Sequence, residues 1–180
     1  EYNQDGTIKS IEPNHPKARK VIKKVIVKDM DSVFYPEKQI VPFIEVVHDR
    51  VTLELFRGCI RGCRFCQAGF IYRPVREKNY QTLLKQAESL IDTSGHEEIS
   101  LISLATSDYT CFPQLANGLI DEYKDKKVSI SLPSLRIDSF SLDLMQKIQE
   151  VRKSSLTFAA EAGTQRLRDV INKNLTEEDI

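Results

Sequence analysis

No surplus of either charge is present: 26 Lys and Arg residues face 26 Asp and Glu residues, for a net charge of zero and a pI near 7.1. That balance removes any bulk electrostatic pull toward nucleic acid or an anionic membrane, leaving only local patches to consider. No uninterrupted apolar run approaches the roughly 20 residues of a membrane span, and no basic-then-apolar leader opens the chain. The expected compartment is therefore the cytoplasm. Cysteine is scarce, four residues in 180, which excludes a disulfide-dense scaffold. What is present is 41% hydrophobic residues, enough for a real core in a chain of about one domain's length. The chain starts at Glu1 and ends in Thr176-Glu177-Glu178-Asp179-Ile180. A hydroxyl followed three residues later by an acid reads as a helix start, so the expectation is a piece of a longer protein.

Three of the four cysteines are crowded together. Cys59, Cys63 and Cys66 fall in Arg57-Gly58-Cys59-Ile60-Arg61-Gly62-Cys63-Arg64-Phe65-Cys66-Gln67-Ala68-Gly69, while Cys111 stands apart. An odd trio this close cannot pair internally, so a metal or cluster site is the natural reading. Structural zinc wants four ligands in a closed tetrahedron, and His48, His96 and Cys111 do not sit at the paired spacing usual for it. An iron–sulfur cluster tolerates the trio better, since three thiolates hold three irons and leave the fourth open. An open metal position is what catalysis needs. Gly58, Gly62 and Gly69 let the backbone wrap closely and aim N–H groups at sulfur. Arg57, Arg61 and Arg64 put cations beside a site of net negative charge, which eases reduction. The competing reading is a chance cluster of buried thiols or an unusual zinc knuckle.

The C-x3-C-x2-C spacing with Phe65 just before the last cysteine resembles the signature of the radical S-adenosylmethionine superfamily. Val47-His48-Asp49-Arg50-Val51, Arg73-Pro74-Val75-Arg76-Glu77 and Leu156-Thr157-Phe158-Ala159-Ala160-Glu161-Ala162-Gly163 extend the resemblance to a bacterial radical-SAM family of unassigned activity, over residues 40–180. Full-length members of that family often carry a cobalamin-binding-like domain before this segment and a further domain after it. The resemblance implies a 4Fe–4S cluster on Cys59, Cys63 and Cys66, and S-adenosylmethionine as second cofactor. It implies an oxidoreductase-type enzyme in which cofactor cleavage yields a 5′-deoxyadenosyl radical that abstracts hydrogen from a substrate. A reductant such as flavodoxin or ferredoxin is implied too. Any cobalamin would belong to the full-length protein and not to this segment.

Residues 1–48 read as an N-terminal extension. An Asp5-Gly6 turn between strand-like flanks predicts a hairpin, and Pro13, Pro16, Pro36 and Pro42 break up the remainder of the extension. The basic stretch Lys17, Arg19, Lys20, Lys23, Lys24 and Lys28 reads as a solvated face, and nucleic acid is not indicated. Residues 49–180 read as the core. Strands are expected at 51–56, 99–104, 128–132 and 155–159, with helices at 80–91, 112–123, 141–151 and 164–171. Four βα units with short connections predict an α/β fold around a parallel sheet, with chemistry at the carboxyl ends of the strands. The cysteine loop directly follows the first strand and so lies at that end. The superfamily's usual core is a partial, six-unit (βα) barrel, so the resemblance implies an incomplete barrel with two units missing. Its last strand would expose an edge, through which the chain could self-associate.

The strand ends supply candidate contacts for the second cofactor. Thr106, Ser107 and Asp108 offer two hydroxyls and a carboxylate to the ammonium of a methionine moiety, where much of the superfamily has Gly-Gly-Glu. Helix capping is the alternative use of Ser107 and Asp108. Arg136 faces a ligand or pairs with Asp138. Glu161 ends the fourth strand, positioned to accept from ribose hydroxyls. In related methylthiotransferases an arginine twelve residues past this position binds the cofactor carboxylate, and that count lands on Lys173, which supplies charge without the bidentate fork. The alternative for Lys173 is a cation at a helix C-terminus. Cys111 reads as a small buried hydrophobe, and His48 as a hydrogen-bonded structural residue beside Asp49. Two other functions compete. One is a non-catalytic iron–sulfur or zinc module for electron relay, which predicts a fourth protein ligand. The other is an RNA or ribosomal-protein methylthiotransferase-like enzyme, which predicts a second cysteine trio.

Overall fold

The computed structural model describes residues 1–133, 135–139, 141–153 and 157–180. Its centre is a parallel sheet of three strands, β1 (Val51–Glu54), β4 (Glu98–Ile102) and β5 (Ser129–Ser131), in the order β1-β4-β5. The register sets Val51 beside Ile99, Leu53 beside Leu101, and Ile99 beside Ile130. Partnered residues share a face, and neighbours along a strand alternate. One face is therefore aliphatic: Val51, Leu53, Ile99, Leu101 and Ile130, all buried. The other carries Thr52, Glu54, Ser100, Ile102, Ser129 and Ser131.

Helices cover the aliphatic face. Helix α2 (Tyr80–Ser94) buries Leu83, Ala87, Leu90 and Ile91, a stripe at helical spacing. Asn79 caps its first turn by accepting from the Gln81 N–H, and Gly95, at φ 73°, ends it in the left-handed conformation that glycine adopts without strain. Helix α3 (Phe112–Tyr123) buries Phe112, Leu115, Ala116, Leu119, Ile120 and Tyr123, with a proline in its first turn. Helix α4 (Leu142–Val151) is capped by Ser141 and buries Leu144, Met145 and Ile148. Helix α2 packs on β1, α3 packs on α2 and β5, and α4 packs on α3 and β5. This is the expected α/β arrangement of parallel strands and crossover helices, with an open sheet consistent with a partial barrel. The first three expected strands and all four expected helices are present, within a few residues at each end.

Two details depart from expectation. The first strand does not run unbroken to Phe56. It stops at Glu54, and β2 (Phe56–Arg57) then turns away to pair antiparallel with β3 (Arg76–Glu77). Leu55 sits at the switch: its N–H donates to the Ile102 carbonyl and its own carbonyl accepts from the Lys78 N–H. The expected fourth strand lies partly outside the described residues, at Ser155 and Leu156. Its remainder, Thr157 to Ala159, is not in a strand. Helix α5 (Gln165–Val170) comes next, capped by Thr164.

In the N-terminal segment, the expected hairpin is reduced to one bridge between Tyr2 and Ile8 around Gly6. Further along, the segment is laid over α2. The Glu37 carbonyl accepts from Ser89 and Thr93, Asp31 accepts from the Asn79 N–H, and Met30 is buried. Tyr35 donates its hydroxyl to the Thr52 carbonyl, and the Lys78 ammonium stands 4.4 Å from its ring centroid. Burial, aided by the nearby Glu54 charge, pushes the Tyr35 hydroxyl up to about 12 from its ordinary 10. A raised folded-state pKa contributes stability that is fully present below pH 10 and is lost as pH climbs toward 12. Tyr35→Phe should cost about 1 kcal/mol at neutral pH and make the fall in urea midpoint between pH 10 and 12 shallower than in the parent.

Candidate functional site

The loop between β2 and β3 carries the three cysteines beyond the carboxyl end of β1. It contains a single turn of helix, α1 (Ala68–Ile71), and is otherwise irregular. Close packing fixes its course. A Cβ on Gly69 would lie 2.2 Å from the Arg61 carbonyl oxygen, and one on Gly58 would lie 2.7 Å from that of Tyr72. Gly58 also has φ 109°, which a side chain rarely tolerates. The Cys59 N–H donates to the Tyr72 carbonyl, and the Arg61 N–H points at the Cys59 Sγ at 3.4 Å. That last contact is the sulfur-directed amide expected of a cluster loop.

All three half-buried thiols line one cleft of about 360 Å³, together with Arg61, Phe65, Leu104, Ala105, Leu135, Arg136, Glu161 and Lys173. Among the described residues, no three His, Cys, Asp or Glu side chains converge as they would on a single ion. The donor chemistry fits a three-thiolate cluster, in which each sulfur binds its own iron and the thiols surround a body instead of meeting at a point. Zinc would call for a fourth ligand within the same tetrahedron. Cys111 instead packs against the hydrophobic core at the start of α3.

A chain of ion pairs crosses the cleft. Arg61 donates through Nε and Nη2 to both oxygens of Asp108, with Nε–Oδ2 at 2.9 Å, and through Nη1 to Asp138 Oδ2 at 3.4 Å. Hydrogen bonding to Asp108 raises the Arg61 pKa further above its ordinary value, so the guanidinium stays charged. Arg136 pairs with Asp138, Nε–Oδ1 at 2.9 Å and Nη2–Oδ2 at 3.0 Å, and also donates to the Lys173 carbonyl at 3.1 Å. Lys173 Nζ stands 3.2 Å from Glu161 Oε1 and 6.0 Å from the Phe65 ring centroid.

The six candidate cofactor contacts thus separate into two groups. Arg136, Glu161 and Lys173 line the cleft with the cysteines. Thr106, Ser107 and Asp108 form a short 3-10 turn behind it, and Leu104 and Ala105 take the lining positions. Thr106 is fully buried, its hydroxyl 3.1 Å from the Ser103 hydroxyl and 3.4 Å from the Leu101 carbonyl. Ser107 accepts from Ser139 at 2.7 Å. Asp108 has both oxygens engaged by Arg61, a stronger pull than capping. His48 contacts Arg50, which pairs with Glu98 at 2.7 Å, in line with its structural reading.

Sequence reasoning missed the strap that pins the loop. The Arg64 N–H donates to the Ile171 carbonyl at 2.9 Å, its guanidinium to the Val170 carbonyl at 2.7 Å, and Asn172 Nδ2 to the Gly62 carbonyl at 2.8 Å. Arg168, 1% exposed, holds the strap by donating to the carbonyls of Ala162 and Leu175, each at 3.1 Å. The available signal was the pair Asn172 and Asn174 flanking Lys173, both at positive φ, 55° and 54°. Asparagine is one of the few residues that enters that region readily, so the pair marks a chain reversal.

An open parallel α/β sheet with a tri-cysteine loop at its carboxyl end, consistent with a partial barrel, defines the class of domain. Comparison with known families names the class: residues 53–180 match the Radical SAM superfamily, and the chain belongs to that family. It is also 34% identical over 169 residues to the uncharacterized protein MJ0966 of Methanocaldococcus jannaschii. That match covers 89% of this chain, which spans 36% of the relative's length. No helix among the described residues is long and apolar enough to cross a membrane.

The contact between Gly69 and Arg61 gives a direct test of the loop. Gly69→Ala forces the backbone apart at an overpacking cost of about 1–3 kcal/mol. The variant should keep its far-ultraviolet circular dichroism yet retain less iron per chain after anaerobic reconstitution.

Proposed function

We propose that this chain is the cluster-binding and cofactor-binding core of a radical-SAM enzyme, with Cys59, Cys63 and Cys66 as the cluster ligands. A 4Fe–4S cluster held this way supplies one electron and one open iron, the chemistry that converts S-adenosylmethionine to a 5′-deoxyadenosyl radical for hydrogen abstraction from a substrate. The observation that carries the reading is the gathering of the three thiols with Arg136, Glu161 and Lys173 in one cleft.

The residues divide the work by chemistry. Lys173 offers a cation to a carboxylate, and Arg136, its charge matched by Asp138, positions it by donating to the Lys173 carbonyl. Glu161 is the acid with room to accept from ribose hydroxyls, its side chain 38% exposed. Asp108 acts by orienting Arg61, which in turn steadies the cysteine loop. Leu104, Ala105, Leu135 and Phe65 provide apolar walls that keep water from a reactive radical. Residues 1–48 serve as an appendage to this core, packed in part on α2.

Anaerobic reconstitution with iron and sulfide, followed by reduction and EPR, tests the reading. The reduced cluster should give a signal that changes when S-adenosylmethionine is added, because the cofactor occupies the open iron. Replacing any one of Cys59, Cys63 or Cys66 with Ala should abolish the signal, whereas Cys111→Ala should leave it intact. Loss of the cluster in Cys111→Ala would point to four protein ligands and an electron-relay module. A spectrum indifferent to the cofactor would remove the enzymatic assignment.

A further inference from the structure

Part of the N-terminal segment runs alongside the return arm of the cysteine loop and meets it at successive points. The Lys24 ammonium donates to the Ile71 carbonyl and stands 5.5 Å from the Tyr72 ring centroid. The Val27 carbonyl accepts from the Arg76 guanidinium at 3.4 Å. Asp31 accepts from the Asn79 N–H at 2.9 Å, and the Lys78 ammonium lies 4.4 Å from the Tyr35 ring centroid. Lys24, Val27 and Asp31 thus meet Ile71, Arg76 and Asn79 in ascending order, as two stretches laid side by side do. Met30, 1% exposed, seats the segment in the core. Tyr35 anchors its far end on the free edge of β1, where its hydroxyl donates to the Thr52 carbonyl.

Upstream of Lys24 the character changes. Among the described residues, the hydrogen bonds and ion pairs of residues 1–20 stay within those residues, and Val21, Ile22 and Val25 are 69%, 87% and 92% exposed. Lys23 makes no hydrogen bond or ion pair among the described residues, although it belongs to the same basic stretch as Lys24. The grip on the loop therefore begins at Lys24.

From there the path to the first thiol is short. The Tyr72 carbonyl accepts from the Cys59 N–H at 3.1 Å, and Gly58 is packed so tightly on that carbonyl that a Cβ would fall 2.7 Å from it. Backbones this close transmit a displacement instead of absorbing it. Lys24 holds Ile71 and Tyr72, and Tyr72 holds Cys59.

We propose that residues 24–37 are a clamp that sets how firmly the cysteine loop holds its cluster, with Lys24 the positioning residue that acts on Cys59. The proposal rests on the cluster reading above and adds a control over that same site. With the clamp seated, Tyr72 is fixed and the Cys59 backbone with it. A pull on residues 1–23 reaches Lys24 before any other contact of the clamp, and lifting it releases the arm next to the first thiol while Met30 and Tyr35 stay seated.

The test reads the loop both without and with metal. In the iron-free chain, hydrogen exchange followed by mass spectrometry should show the Cys59 amide exchanging about threefold faster in Lys24→Ala, because its acceptor is no longer held. After anaerobic reconstitution, the same variant should surrender iron to excess chelator about threefold faster than the parent. Lys24→Arg should restore both, since a guanidinium also donates to a carbonyl and stacks on a tyrosine ring. Lys23→Ala removes the same charge one residue away and should match the parent in both measurements. Parent-like behaviour of Lys24→Ala in either measurement overturns the proposal. An equal acceleration in Lys23→Ala also overturns it, by making the effect one of overall charge. Failure of the cluster reading shows separately, as a reduced parent whose EPR ignores S-adenosylmethionine, and leaves the exchange result in the iron-free chain to be judged by itself.

Discussion

Arg61 ties the cysteine loop to the sheet, and the candidate site is built on that tie. The loop between β2 and β3 has a single helical turn, so its backbone order must be supplied from outside, at roughly 1–2 kcal/mol per residue of conformational entropy. Arg61 donates to both oxygens of Asp108 after β4 and reaches Asp138 after β5. One side chain thereby connects the thiol-bearing loop to the ends of two strands. Asp108 is only 7% exposed, which makes the pair costly to break one-sidedly, since an unpaired buried charge would remain. Lys173 and Arg136 continue the same line of contacts to the C-terminal strap.

The sheet decides where that line can run. Its aliphatic face is consumed by α2, α3 and α4, and the opposite face carries Thr52, Ser100, Ser129 and Ser131. Short hydroxyl side chains leave space and satisfy backbone polar groups: the Ser129 hydroxyl, for example, donates to the Glu97 carbonyl at 3.2 Å. Parallel strands also end together, so residues far apart in sequence, from Cys59 to Lys173, arrive at one rim.

How much of this could be read from residues alone depended on the range of the signal. Helices α2, α3 and α4 were legible because their apolar stripes and caps are local: Asn79, Ser141 and the proline after Phe112 state the starts directly. The cysteine trio was legible because three thiols in eight residues have few other uses. The break at Leu55 was not, because Val51 to Phe56 is a strong strand pattern and only the Phe56–Glu77 pairing pulls its end away. Thr106, Ser107 and Asp108 read as a ligand surface from composition, yet a fully buried Thr106 and an Arg61 forty-seven positions from Asp108 are tertiary facts. The strap through Arg64, Arg168 and Asn172 depends on equally distant contacts, and only the two asparagines hinted at it.

Chain-wide neutrality conceals a sorting of charge between the two sides of one loop. Within the cleft, Arg61, Arg136 and Lys173 are matched by Asp108, Asp138 and Glu161, so three cations meet three anions in a partly buried space. Matching is needed there, because an unbalanced charge loses hydration that nothing replaces. Elsewhere in the segment Arg64 and Arg73 are exposed, and among the described residues Arg64, Arg73 and Arg76 donate to backbone carbonyls and meet no carboxylate. The arginines of a single segment are thus divided by their partners: Arg57 and Arg61 meet carboxylates, Arg64, Arg73 and Arg76 meet carbonyls, and the side that faces the cleft is the neutralised one.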